Sequence, residues 1–475
     1  VGFSCAPEEQ MATDVIDTSG RSQRVVPEAR KTRPASGILQ LAWPAIVGNL
    51  LMSTVGLVDI KIVGSLGPSA VAAVTTGNRM FFVLQGVLMA VTAGTTALVA
   101  RAWGAGDRDE AERVTRVSVV VCIGVSLVMA VPGLVFAEQL AGVFRGLDAR
   151  AVADAASFIR ILACFNVAFA LSFILSTACR AAGDTLTPLW VGAVTNVVNV
   201  ALVYVLVYGA FGVRSYGVPG AAIANGLAFS VGASFFVVKW LRGTLIVGIG
   251  PSGALTRRRV RALFRIGYPA GIEQCVWQVG FIAFLWLVAL YGTEAYAAYG
   301  IGVQILALSF VVGFGFSIAA STHVGQRLGA EDSDGAEASG WQAMRLAVVS
   351  MTVLGALVIL TAEPVARFMI DDPEVVRLTV VFIYILGACQ PLMAIEFTLG
   401  GALRGAGDTR FPLYTVLTGL VGVRVLLSAV FVLLGLDVEW IFAVLIADYI
   451  VKGAMLTGRF RSGAWKKLEI GARDG

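Results

Sequence analysis

Arg180-Ala181-Ala182-Gly183-Asp184-Thr185-x-x-Pro188 returns 224 residues later as Arg404-Gly405-Ala406-Gly407-Asp408-Thr409-x-x-Pro412. An offset of 225 sets Leu41-Ala42-Trp43-Pro44-Ala45 on Ile266-Gly267-Tyr268-Pro269-Ala270 and Gly67 on Gly292. It also sets Gly104-Ala105-x-Asp107 on Gly329-Ala330-x-Asp332. The chain is a duplication, and duplicated membrane chains place a substrate path between their repeats.

Hydrophobic residues make up 57% of the 475 and charged residues 14%, against roughly 25% charged in soluble domains. Apolar runs of membrane length recur along almost the whole chain. They predict twelve spans, at about 37–64, 70–99, 117–137, 153–178, 188–210, 217–240, 264–291, 295–323, 346–366, 376–402, 411–434 and 438–460. Six spans per half make the two repeats parallel, related by a pseudo-twofold axis along the membrane normal.

Basic residues set the orientation. With the N-terminus inside, 27 of the 36 Lys and Arg fall in inner segments or in the inner parts of spans (Lys239, Arg265, Lys452 and Arg459), including Arg257, Arg258, Arg259, Arg261, Lys466 and Lys467. Five fall in outer loops or at an outer span end (Arg145, Arg150, Arg214, Arg367, Arg377), and the other four within spans are Lys61, Arg79, Arg160 and Arg424. Both termini are therefore expected in the cytoplasm. The net charge of +5 reports topology, and no nucleic-acid partner is expected. The expected domains are a disordered cytoplasmic segment 1–35, an N-lobe 36–240, a cytoplasmic linker 241–263, a C-lobe 264–460 and a cytoplasmic tail 461–475. The first segment lacks the apolar core of a signal peptide, and either Val1 or Met11 can be its start.

Asp59 follows Pro44 by fifteen residues, about 22 Å along the first span. A carboxylate at that depth costs roughly 2.5–3.5 kcal/mol, so it calls for a partner, a proton or a cation. Lys61, at i+2, faces away from it on a helix. Asn196 and Asn199 lie mid-span in the fifth helix, where their amides can donate to a carboxylate or offer oxygen to Na⁺. Glu273 and Gln274 sit about 13 Å into the seventh span and, with Trp277, Glu396 and Arg424, are the candidates for lining a substrate cleft. Arg424 lies in the middle of the eleventh, where an arginine requires a partner. Glu273, Glu396 and Asp448 are in the same half and within reach, and Glu273 is the expected one. Trp277 can receive a flat cation on its ring if it faces a cleft. In the two Arg-x-x-Gly-Asp-Thr turns, Asp184 and Asp408 are expected to cap the following helices. Arg180 and Arg404 are expected to clamp neighbouring loops, a gating and structural role. His323, the only histidine, is expected at the membrane interface. Cys122, Cys164, Cys179, Cys275 and Cys389 fall in spans without ligand spacing and are expected to be buried fillers.

The repeated segments resemble those of the multidrug and toxic compound extrusion (MATE) family. Val58-Asp59-x-x-x-Val63-Gly64 with Leu66-Gly67 is similar to the end of its first helix. Val324-Gly325-Gln326-x-Leu328-Gly329-Ala330 is similar to its loop after helix eight. Cys179 to Thr185 and Leu403 to Thr409 resemble its duplicated loops after helices four and ten, and Arg459-Phe460-Arg461-Ser462-Gly463-x-Trp465-Lys466 its C-terminal end. The resemblance covers about residues 35–467. It implies two six-helix bundles that open alternately to either side, expelling organic cations or amphipathic compounds in exchange for protons or sodium. It also implies a coupling role for Asp59. Many relatives place an acidic or amide residue where this chain has Val203, which favours a one-carboxylate proton site over Na⁺ at Asp59. Some relatives carry an acid at the position of Trp277 and others carry Glu-Gln, as at Glu273-Gln274. That role therefore does not transfer position for position.

The resulting reading is an all-α, twelve-helix polytopic exporter of a bacterial or archaeal inner membrane. It is monomeric, driven by an ion gradient with H⁺ favoured over Na⁺, and is neither an enzyme nor dependent on a cofactor. No G-x-x-x-x-G-K-[ST] phosphate loop is present. A lipid-linked glycan flippase of the same broad superfamily is the nearest rival, but it would line its cleft with cations. The mid-membrane set here is mostly acidic: Asp59, Glu273, Glu396 and Asp448 against Lys61 and Arg424. A membrane-embedded enzyme would need a catalytic cluster that one histidine does not supply, and a channel does not call for two lobes.

Overall fold

The computed structural model describes residues 14–16, 22–24, 37–143, 148–248, 255–468 and 470. Arg145, linker residues 249–254 and tail residues 471–475 lie outside these, as does most of the segment expected to be disordered. Val1–Gly37 forms a unit of its own. In it β1 (Asp14–Ile16) pairs antiparallel with β2 (Ser22–Arg24), Asp14 opposite Arg24, a pairing the composition does not announce.

The remainder is helical. The first half holds α1 (Ile38–Gly64), α2 (Pro68–Gly104), α3 (Arg108–Val135), the short α4 (Ala137–Ala141), α5 (Ala149–Cys164), α6 (Asn166–Ala181), α7 (Leu186–Tyr208) and α8 (Gly217–Leu241). The second holds α9 (Arg257–Ala289), α10 (Thr293–Gly329), α11 (Ser333–Leu360), the short α12 (Ala362–Met369) and α13 (Pro373–Gly405). It ends with α14 (Arg410–Val416), a π-helical turn Leu417–Val425, α15 (Leu426–Leu433) and α16 (Val438–Arg461). Among the described residues eleven helices are long and apolar enough to cross a membrane. Here α14, the π turn and α15 count as one. α5 and α6, bent by 57° where they join, make the twelfth span.

Local structure repeats with the sequence. Asp107 caps α3 by accepting from the Glu110 N–H (2.9 Å), and its counterpart Asp332 caps α11 through the Gly335 N–H (2.8 Å). That N–H and the neighbouring Arg327 hold the Asp332 carboxyl below the usual carboxylate range, so the cap stays charged at neutral pH. Gly67 and Gly292 turn with φ of 107° and 101°, and Gly183 and Gly407 with 95° and 88°, a region that side chains avoid. The helices overrun the predicted spans mostly at the end that carries the basic loops. α3 and α11 begin at Arg108 and Ser333 rather than near 117 and 346. α9 begins at Arg257, so the arginine cluster expected in the linker forms its first turns.

Each lobe has its own apolar core, yet the first turns of α1 and α9 are exchanged between them. Ile38, Leu41 and Ala42 pack in the second lobe's core, while Ala262, Leu263 and Ile266 pack in the first's. The exchange needs close backbone approach at the basic end. A Cβ on Gly104 would stand 1.8 Å from the Gln326 carbonyl oxygen, and one on Gly329 would stand 2.0 Å from that of Arg101. The 225 offset relates 101 to 326 and 104 to 329, so the contact is itself twofold. Buried Arg259 at the start of α9 adds a clasp, donating to both carboxylate oxygens of Glu110 on α3 (2.9 and 2.7 Å).

Gly104→Ala and Gly329→Ala should each force the basic ends of the lobes apart. Spin-label distances between the starts of α3 and α11 are expected to lengthen in either variant. An unchanged distance would mean that these glycines do not set the closure.

Candidate functional site

Two polar centres sit at equivalent places in the two lobes. In the first, α1 supplies Asp59, α7 supplies Asn199 and α8 supplies Asn225. Asp59 is half-buried and Asn199 buried. Asn199 donates from its amide nitrogen to the side-chain oxygen of Asn225 and turns its own oxygen towards Asp59. Rotating the amide by half a turn sets the nitrogen 3.1 Å from each carboxylate oxygen of Asp59, so which orientation is taken depends on which groups carry protons. Asn196 does not join them: its amide nitrogen is buried without a hydrogen-bond partner. Val203 is fully buried, so no further ligand comes from that position. Lys61 is exposed.

The repeat puts Phe284 where the first lobe has Asp59 and Arg424 where it has Asn199. Asn225, which the sequence reading passed over, has a counterpart too. Ile223-Ala224-Asn225 echoes Ile446-Ala447-Asp448, and that echo is the signal that would have found it. The second centre is a closed set of charges. Arg424 pairs with Asp448 at 2.5 Å, both essentially without exposure. Lys452, which the mid-membrane set drawn from the sequence left out, is fully buried there too, 3.2 Å from Asp448 and 3.3 Å from Glu396, with the rings of Trp277 and Tyr449 at 5.2 and 5.1 Å. Arg424 is carried by the π-helical turn, a local widening common at functional sites.

Glu273 is not the partner of Arg424. It is buried against Arg404, which donates to it at 2.6 Å. α13 runs unbroken to Gly405, so Arg404 belongs to its last turn and reaches α9 rather than a neighbouring loop. The counterpart Arg180 faces no such acid, because the position equivalent to Glu273 is Gly48. Asp184 caps α7 as expected, accepting from the Leu186 and Thr187 N–H groups (3.1 and 2.9 Å). Asp408 departs from its expected role and takes the Arg459 side chain at 2.8 Å. Gln274 lies against Gly86 of α2. His323 is buried within the protein, and Cys164 and Cys275 are exposed rather than buried fillers. Among the described residues no group of three His, Cys, Asp or Glu is placed to hold a metal.

Two parallel six-span lobes, sealed at one end and holding ionisable groups at membrane depth, define a secondary transporter. The MatE family model matches residues 44–205 and again 269–430, the same 225-residue offset, and the chain belongs to this family of MATE transporters. A probable multidrug resistance protein NorM of Thermotoga maritima is 31% identical over 460 residues, covering 94% of this chain and 96% of that protein. Another protein of that name, from Bradyrhizobium diazoefficiens, is 29% identical over 411 residues, covering 84% and 87%. Solved structures share the fold. A MOP superfamily transporter from Pyrococcus furiosus has a TM-score of 0.84 at 20% identity, covering 91% of this chain and 96% of that one. A mutant of the Vibrio cholerae MATE transporter VcmN has 0.82 at 21%, covering 91% and 98%.

Breaking a buried ion pair costs roughly 3–5 kcal/mol. Arg424→Gln and Asp448→Asn should each lower the melting temperature in detergent, and the double variant should lose less than the sum. Glu273→Gln combined with Arg424→Gln should instead be additive, since the two belong to different pairs.

Proposed function

We propose that this protein exports organic cations or amphipathic compounds by alternating access, driven by a proton gradient, with its basic end in the cytoplasm of a bacterial or archaeal cell. One observation carries the reading. Of the four carboxylates at membrane depth, Asp59 alone has, among the described residues, only neutral partners. Glu273 has Arg404, Glu396 has Lys452, and Asp448 has both Arg424 and Lys452. An uncompensated carboxylate in that setting binds either a proton or a cation, and competition for it is the basis of exchange. The family membership and the multidrug resistance relatives support export of small molecules.

The partners of Asp59 favour a proton over Na⁺. Val203 is buried and contributes no oxygen, and the amides of Asn199 and Asn225 serve as donors as readily as acceptors, so a cation would find a sparse ligand set. Asn199 also has two useful orientations. With Asp59 ionised it donates to the carboxylate, and Asn225 turns its own amide to donate to the Asn199 oxygen. With Asp59 protonated, the reversed amide accepts the carboxyl proton and donates to Asn225. The charge of one residue on α1 is thereby felt on α7 and α8. Both centres are complete within one chain, which fits a monomer. The cations of the second lobe's centre are all bonded to carboxylates and are not free to receive the phosphates of a lipid-linked glycan.

Dye efflux from everted vesicles tests the reading. Collapsing the pH gradient should stop efflux, and collapsing a sodium gradient should not. Asp59→Asn removes the charge and keeps the volume, so the variant should fold and insert yet lose gradient-driven efflux. Full driven efflux by Asp59→Asn, or dependence on sodium alone, would defeat the proposal. Asn225→Leu should weaken coupling severalfold without abolishing dye binding.

A further inference from the structure

α8 presents two different faces. Gly226 and Gly232 turn inward, where a Cβ would strike Phe165 and Thr195, and the helix packs on α5, α6 and α7 of its own lobe. On the other face Leu227, Val231, Phe235 and Val238 are each 39–44% exposed. In a membrane-spanning helix packed only within its lobe, such a face meets the bilayer. Between this face and Leu202 of α7 runs a groove of about 790 Å³, with the small side chains Ser230 and Ser234 in its lining. Its α8 wall extends from Leu227 to Arg242, about 22 Å at 1.5 Å per residue.

The groove changes character at the basic end, where Lys239, Arg242 and Thr244 line it. Neither cation has a carboxylate within 4 Å among the described residues. Lys239 has the ring of Phe235 at 5.6 Å. An apolar channel that ends in two uncompensated cations has the charge and shape of one kind of membrane component. One leaflet supplies about 15 Å of hydrocarbon, which leaves the last turn and a half of α8 at the head-group level, where Lys239 and Arg242 stand. Basic side chains at that level attract anionic head groups.

We propose that the α7–α8 groove binds an anionic phospholipid of the leaflet at the basic end. Its phosphate lies between Lys239 and Arg242, and one acyl chain lies along Leu227, Val231 and Phe235. The site is separate from the Asp59 centre and does not depend on the transport reading.

The test is native mass spectrometry of the full chain in mild detergent, titrated with phosphatidylglycerol or phosphatidylcholine of identical acyl chains. Phosphatidylglycerol should bind about tenfold more tightly. The preference should vanish in the K239Q/R242Q variant and survive in K239R/R242K. Ser234→Trp fills the channel and should weaken both lipids, while inorganic phosphate, lacking a chain, should not displace phosphatidylglycerol. Melting temperatures identify any variant that loses its fold, and for such a variant Ser234→Phe or the single charge substitutions take its place. Equal binding of the two lipids by the unaltered protein overturns the site. So does a preference that survives K239Q/R242Q, or lipid binding undiminished in a folded channel-filling variant.

Discussion

The contact of Gly104 with the Gln326 carbonyl, mirrored by that of Gly329 with the Arg101 carbonyl, decides how near the two lobes can come. No side chain other than hydrogen fits there. Once those backbones touch, the first turns of α1 and α9 must pass beside the opposite lobe, and each is taken into the other's core. The seal is therefore built from main chain and small residues rather than from a ring of charges. The Arg259–Glu110 pair fastens it on one side only, since the position equivalent to Glu110 is Gly335.

Duplication fixed the geometry of the two polar centres and left their chemistry to diverge. The same three places hold Asp59, Asn199 and Asn225 in one lobe and Phe284, Arg424 and Asp448 in the other. Burying an ion pair is costly and is offset only when each charge has its counter-charge close by. The second lobe meets that condition with four groups that sum to zero, Arg424, Lys452, Asp448 and Glu396. The first lobe leaves one acid among amides, which can hydrogen-bond it in either protonation state but cannot neutralise it. One lobe is thus electrostatically settled, and the other remains sensitive to what binds.

Much of this was legible in the chain. The glycine turns, the aspartate caps and the parallel halves follow from segments that match at 224 or 225 residues, and the family match falls on the same offset. Apolar runs locate the spans but not the helix ends, because α2, α3, α10, α11 and α13 continue beyond the hydrophobic stretch. That extension is what misled the pairing of Arg424. Placing Arg404 in a loop removed it from Glu273 and left Glu273 apparently available. The π-helical turn, which has no sequence signature here, brings Arg424 to α16. Asn225 escaped notice because a neutral amide in a helix rich in glycine and alanine disturbs neither hydropathy nor charge. Only the alignment of Ile223-Ala224-Asn225 with Ile446-Ala447-Asp448 exposes it.

α2 and α10 are 37 residues each, about 55 Å long, and they touch at their last turns. Two stiff rods joined at their tips behave as tongs. A change of about 20° in the angle between them parts the far ends by roughly 19 Å for rods of that length, while atoms beside the joint move only an ångström or two. Under the alternating access proposed above, displacement would be greatest at the end opposite the joint. The length of these two helices would then act as a mechanical ratio, turning a small change of angle where they touch into a wide passage at the other end.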